Sequence, residues 1–88
     1  MIELEATIVN QEGLHARPAA RIVRLASTFA AEIELAKDGV AVNAKSIMGV
    51  MMLAAECGSS ITIRANGSDA EQAVQALAEL VASGFGED

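Results

Sequence analysis

The stretch AEIELAKDGVAV, Ala31–Val42, decides the fold. In it Ala31, Ile33 and Leu35 alternate with Glu32 and Glu34, the period of a strand with one buried and one wet face. Asp38-Gly39 then supplies a residue pair preferred in two-residue hairpins, and Val40 and Val42 continue beyond it. Two antiparallel strands joined by a tight turn are therefore expected, and with them a sheet that needs only one covered face.

Outward from the hairpin the same logic finds the remaining elements. Ile2, Leu4, Ala6 and Ile8 alternate with Glu3, Glu5 and Thr7, which gives a first strand, and Ile61, Ile63 and Ala65 give a fourth. Between the first strand and the hairpin, Ile22, Leu25, Ala26 and Phe29 recur at helical spacing, while Arg17, Arg21 and Arg24 fall on another face. Ser46 stands as an N-cap before IMGVMMLAA, with Gly58 as its stop signal, so a short second helix is expected. Ser68 or Asp69 caps a third helix carrying Ala73, Val74, Leu77, Leu80 and Val81, and Gly84 ends it. Asn66-Gly67 reads as a turn; its match to a glycosylation acceptor has no secretory context. The order is β-α-β-β-α-β-α, and an open-faced α/β sandwich is the economical packing, its uncovered sheet face rich in Glu, Thr and Arg.

Composition narrows the function. Eighty-eight residues, 52% of them hydrophobic, suit one domain spanning 1–88. Two aromatics, Phe29 and Phe85, leave an aliphatic core and no stacking platform for single-stranded nucleic acid, and a net charge of −6 opposes a nucleic-acid backbone. No basic segment precedes an apolar signal region, and no apolar run approaches the roughly 20 residues that span a bilayer, so a cytoplasmic protein without membrane insertion is expected. Cys57 is alone, which fits a reducing compartment, and a small buried or half-buried side chain is expected there.

GLHARPAA, Gly13–Ala20, gathers the single histidine and the single proline around an arginine at the start of the first helix. With the helix beginning near Ala16, His15 falls at or beside the N-cap, where the first backbone N–H groups have no intrahelical partner. The partial positive charge of that end favours a negatively charged product on the imidazole. Arg17 adds a planar cation suited to phosphate oxygens, and Arg21 and Arg24 extend the positive potential. Pro18 is tolerated in the first turn, and Gly13 gives the incoming loop latitude. These residues suit a histidine that receives and gives up a phosphoryl group; from helix physics alone, a capping or surface histidine is an equal reading. One His without a second His or a paired Cys makes no metal site, and a chain this small can scarcely enclose a hydrolase cleft.

The same residues resemble the active-site signature of the HPr family, phosphocarriers of the bacterial phosphoenolpyruvate-dependent sugar phosphotransferase system, and NAKSIMGVMML, Asn43–Leu53, is similar to that family's regulatory-serine segment. The resemblance spans nearly the whole chain. It implies an α+β, open-faced β-sandwich with a four-stranded antiparallel sheet covered on one face by three helices. It implies further that Nδ1 of His15 accepts a phosphoryl group from Enzyme I and passes it to an Enzyme IIA domain, in sugar uptake or in a nitrogen-regulatory relay, so that the protein is a carrier and not a self-standing enzyme. Arg17 and the amides of Ala16 and Arg17 would contact the phosphate, and Ser46 would be the target of HPr kinase/phosphorylase.

No cofactor is implied, and a monomer is expected. Arg21, Arg24, Ile47, Met48 and Met51 are the expected partner-binding residues, with core packing taking about half of the apolar set Ile47, Met48, Met51 and Met52. Ser27 and Gly49 are neutral where relatives often carry lysine, and Ala54–Cys57 holds no basic residue, which bears on the choice of Enzyme I. The alternative is a regulatory adaptor that binds a transcription factor, such as a catabolite-control regulator, or an enzyme through the second helix when Ser46 is phosphorylated.

Overall fold

Asp38 and Gly39 both take positive φ, 51° and 82°, as a primed two-residue turn requires. The chain folds back there, so that β2 (Glu32–Lys37) pairs antiparallel with β3 (Val40–Asn43), Lys37 opposite Val40. The computed structural model describes residues 1–86. Its other strands are β1 (Ile2–Thr7) and β4 (Ser60–Asn66), and its helices are α1 (Ala16–Ala26), α2 (Ile47–Met52) and α3 (Ala70–Ala82), in the order the sequence predicts. The sheet is antiparallel throughout, with strands in the order β1-β4-β2-β3.

Register explains why one face is covered and the other is not. Leu4, Ile63, Leu35 and Val42 form one row across the four strands, and the next row is Glu3, Arg64, Glu34 and Asn43 on the opposite face. Arg64 stands between the carboxylates of Glu3, at 3.2 Å, and Glu34, at 3.6 Å. Exposed pairs of this kind contribute about 0–1 kcal/mol each. Burial of the apolar row therefore holds the register, because a one-residue slip would turn it to water.

The helices supply the cover. α3 packs on β1 and β4, and α1 packs against α2 and α3. Ile22, Val74, Leu77, Val81 and Phe85 fill the layer between them, so the core is aliphatic apart from Phe85. Gly84, with φ of 67°, follows the C-cap Ser83 and ends α3 as a left-handed glycine should.

Three local expectations change. α1 stops at Ala26, and Phe29 lies half-buried in the following turn, whose amides still reach back to the last helical carbonyls. α2 stops at Met52, well before Gly58: Leu53 and Ala55 turn into the core, and Ala54 between them takes a left-handed φ of 52°. Asp69 holds the N-cap position of α3, yet its side chain makes no capping bond; it reaches across to the amides of Ala30 and Ala31 instead.

Candidate functional site

Residues 13–19 build a helix start with two unused donors. His15 is the N-cap of α1, with φ of −78° and ψ of −175°, and its imidazole makes no capping bond. The first amide of α1 with a partner in the turn is that of Ala19, which donates to the His15 carbonyl at 2.9 Å. Pro18, in the turn between, has no N–H to offer. The amides of Ala16 and Arg17 are left without a partner among the described residues, at the positive end of the helix dipole. Beside them the His15 and Arg17 side chains are exposed. Unpartnered donors and an exposed imidazole thus share one end of one helix, an arrangement that can take an anion.

The loop before His15 is held on both flanks. Gly13 has φ of 71°, and a Cβ there would stand 2.4 Å from the Ala55 carbonyl, so only glycine fits. That same carbonyl accepts the Leu14 amide at 2.9 Å, while the Leu14 side chain is buried. Gly13 accepts from the Asn10 side chain and from the His15 amide, each at 2.9 Å. The segment after α2 is thereby drawn against the histidine. A shallow depression is lined by His15 and Leu14, by Met51, Ala54 and Ala55, and by Glu12 and Glu56.

Ser46 is half-buried at the N-cap of α2, where its Oγ accepts the Gly49 amide at 3.1 Å and its carbonyl accepts the Val50 amide at 3.0 Å. The depression joins His15 to the far turn of this helix, at Met51, and not to Ser46. The core takes only Val50 from α2 itself. Ile47, Met48, Met51 and Met52 are 42%, 69%, 42% and 75% exposed, so the expectation that about half of them pack inside is corrected. A helix of six residues turns too few positions inward to bury a second apolar set.

The basic stripe on α1 divides. Arg17 and Arg24 are exposed, whereas Arg21 is half-buried and its guanidinium donates to the Phe85 carbonyl. Cys57 is also corrected: it is exposed, with its thiol 3.7 Å from the Val9 carbonyl, because it lies in the turn between α2 and β4 and not in an element. Asn10 and Glu12 carry no signal in the sequence, and Ala55 and Glu56 enter it only as part of a segment without a basic residue. Asn and Glu near a glycine read as generic loop residues, and no local pattern shows that Ala55 meets Gly13, 42 positions away. Among the described residues no group of three His, Cys, Asp or Glu side chains could hold a metal ion, and no helix is long and apolar enough to cross a membrane.

The PTS-HPr family model, described as the PTS HPr component phosphorylation site, matches residues 2–83. The phosphocarrier protein HPr of Cupriavidus necator is 46% identical over 87 residues, 99% of this chain and 98% of that protein. The crystal structure of HPr-C-His from Thermoanaerobacter tengcongensis superposes with a TM-score of 0.96 at 48% identity, covering 100% of this chain and 99% of the other. The catabolite repression protein Crh of Bacillus subtilis, described as a domain-swapped dimer, superposes with a TM-score of 0.75 at 43% identity, covering 92% and 93%.

Proposed function

The chain belongs to the HPr family of phosphocarriers, and from that premise we propose that His15 carries the phosphoryl group between phospho-Enzyme I, charged from phosphoenolpyruvate, and an Enzyme IIA domain. In the first step the lone pair of Nδ1 attacks phosphorus, the bond from phosphorus to Enzyme I breaks as the bond to Nδ1 forms, and the imidazole proton stays on Nε2. The second step is the reverse, with the Enzyme IIA acceptor as nucleophile. Ala16 and Arg17 offer two amides to the phosphoryl oxygens, and the Arg17 guanidinium offers a charged fork. The observation that carries this reading is the pairing of an uncapped, exposed imidazole with two partnerless amides at one helix start. Incubation with Enzyme I and labelled phosphoenolpyruvate tests it. Acid-labile label that is absent from His15→Ala is expected; a wild-type chain that takes no label from a cognate Enzyme I rejects the reading.

Ser46 is the regulatory site in this proposal, a target for HPr kinase/phosphorylase. A phosphate there adds about −1.5 to −2 charge beside the face that partners meet through Ile47, Met48, Met51, Arg21 and Arg24. Acid-stable label from ATP and the kinase is expected on Ser46 and not on Ser46→Ala. A Ser46→Asp chain that accepts phosphate from Enzyme I at the wild-type rate would remove the inhibitory role.

The exposed methionines of α2 next to Ser46 favour one second reading, an adaptor that presents this helix to a transcription regulator when Ser46 is phosphorylated. Unlike the carrier, it would work undiminished in His15→Ala. We read residues 1–88 as one HPr domain, cytoplasmic and monomeric. Light scattering tests the last point against the dimer described for Crh.

A further inference from the structure

We propose that Asn10 is a positioning residue for phosphoryl transfer, its side-chain amide holding the Gly13 carbonyl that in turn holds the backbone of His15. The proposal rests on the reading of His15 as phosphoryl acceptor.

Asn10 is the one buried polar residue among the described residues, 6% exposed, and it lies in the loop from β1 to α1. Its Nδ2 donates to the Gly13 carbonyl at 2.9 Å. That carbonyl takes a second bond from the His15 amide, also at 2.9 Å, while the Gly13 amide donates back to the Asn10 carbonyl at 3.2 Å. Asn10 thus closes on Gly13 from both sides, and His15 is tied to the same carbonyl. On the other flank the Leu14 amide is fixed to Ala55. The backbone of His15 hangs between these two tethers.

The other half of the Asn10 amide makes no such contribution. Oδ1 is buried and has no hydrogen-bond partner among the described residues. A residue needed only to fill this space would be apolar, and one needed only for its turn would be exposed. What Asn10 uniquely supplies is a buried donor aimed at Gly13. Aspartate in its place would set an acceptor against an acceptor.

Transfer needs the imidazole held relative to the Ala16 and Arg17 amides, and those amides are fixed by α1 itself. His15, outside the helix, depends on the loop for its aim. Releasing the Gly13 carbonyl leaves the exposed side chains of Arg17, Met48 and Met51 in place and loosens only the acceptor. Transfer at saturation should therefore fall while partner affinity holds.

The experiment compares wild type, Asn10→Ala and Asn10→Asp as acceptors from Enzyme I over a range of carrier concentrations, and from phosphoramidate, a small donor that needs no docking. Thermal unfolding is recorded for each chain. The expected result is a loss of about ten- to a hundredfold in the limiting rate with both donors, at a half-saturating concentration within about twofold of wild type. Wild-type rates in a folded variant overturn the proposal, as does a slowing confined to Enzyme I with a raised half-saturating concentration. If neither variant folds, Asn10 serves folding and the proposal is equally overturned. A wild-type chain that takes no phosphate from either donor rejects the reading of His15 and this proposal with it; a labelled wild type with unaffected variants rejects the role of Asn10 alone.

Discussion

The carboxylate of Asp69, at the start of α3, accepts the amide hydrogen of Ala30 at 2.8 Å, joining the third helix to the turn that leaves the first. The neighbouring amide of Ala31 bonds the second oxygen at 2.9 Å. These two donors tie α3 to the strand β2 that begins one residue later. The bond from Ala30, with that from Ala31 behind it, holds the Asp69 carboxyl below its ordinary value of 3.8.

Stability contributed by a lowered carboxyl is present above the unfolded-state value and is lost as pH falls through the folded one. The contribution of Asp69 is thus complete in neutral solution and drains away below pH 3.8. Asp69→Asn, which can accept with only one of its two terminal atoms, should unfold at lower urea than wild type at about pH 7, and the gap should close in strong acid. Urea midpoints measured at both ends of the range check this. A gap that stays constant with pH would show that charge at Asp69 plays no part.

The sequence narrows the start of α3 to Ser68 or Asp69, and it does not show the partner of Asp69. A helix start announces itself through a capping residue and a 3.6-residue apolar period, both local. The bond from Ala30 spans 39 positions and exists because β4 returns beside β2. The same division runs through the site. His15 at the N-cap, Pro18 in the first turn and the hairpin at Asp38-Gly39 follow from short-range chemistry. Periodicity could not end α1 before Phe29 or α2 before Gly58, because apolar residues beyond a helix still point to the core from a turn, as Ala55 does. Nor could it divide Ile47–Met52 into an inner and an outer face, since nearly every residue in that segment is apolar and the burial of Val50 alone is decided by tertiary packing.

Gly13 makes a second test of the loop. Its φ of 71° strains any residue with a side chain, and an added Cβ would meet the Ala55 carbonyl at 2.4 Å. The left-handed conformation by itself costs about 1–2 kcal/mol. Gly13→Ala should therefore lose at least about that much stability and displace Leu14 and His15 from Ala55, slowing acceptance of phosphate. Chemical denaturation and the Enzyme I reaction report the two effects; a chain as stable as wild type would mean that the loop readily takes another path.

Met48 is 69% exposed on α2, so it contributes little to the core. Met48→Ser should change stability by less than about 0.5 kcal/mol. It should raise the carrier concentration that half-saturates Enzyme I while leaving the limiting rate alone, the pattern of lost docking surface. Steady-state phosphorylation at varied carrier concentration separates these quantities, and an unchanged half-saturating concentration would take Met48 out of that interface.

Arg17 and Arg21 lie on one helix and should fail in opposite ways. Arg21 is half-buried and donates to the carbonyl of Phe85, a buried residue held at a left-handed φ of 62° beyond the end of α3. Removing it strands that carbonyl and frees the segment that closes the core, so Arg21→Ala should lose about 1–3 kcal/mol. Arg17 is exposed beside the unpartnered amides, and Arg17→Ala should shift stability by less than about 0.5 kcal/mol. The order reverses for transfer. In the proposed transfer the Arg17 guanidinium would hold the phosphoryl oxygens in line with His15, so Arg17→Ala should slow phosphorylation of His15 by about a hundredfold. Arg21→Ala, once folded, should slow it far less, because its charge already serves the Phe85 carbonyl. Urea midpoints and single-turnover phosphorylation of both variants decide the matter: equal losses of rate would mean that the two arginines act on the phosphate as one positive field, and equal losses of stability would mean that the Phe85 contact is not what Arg21 is for.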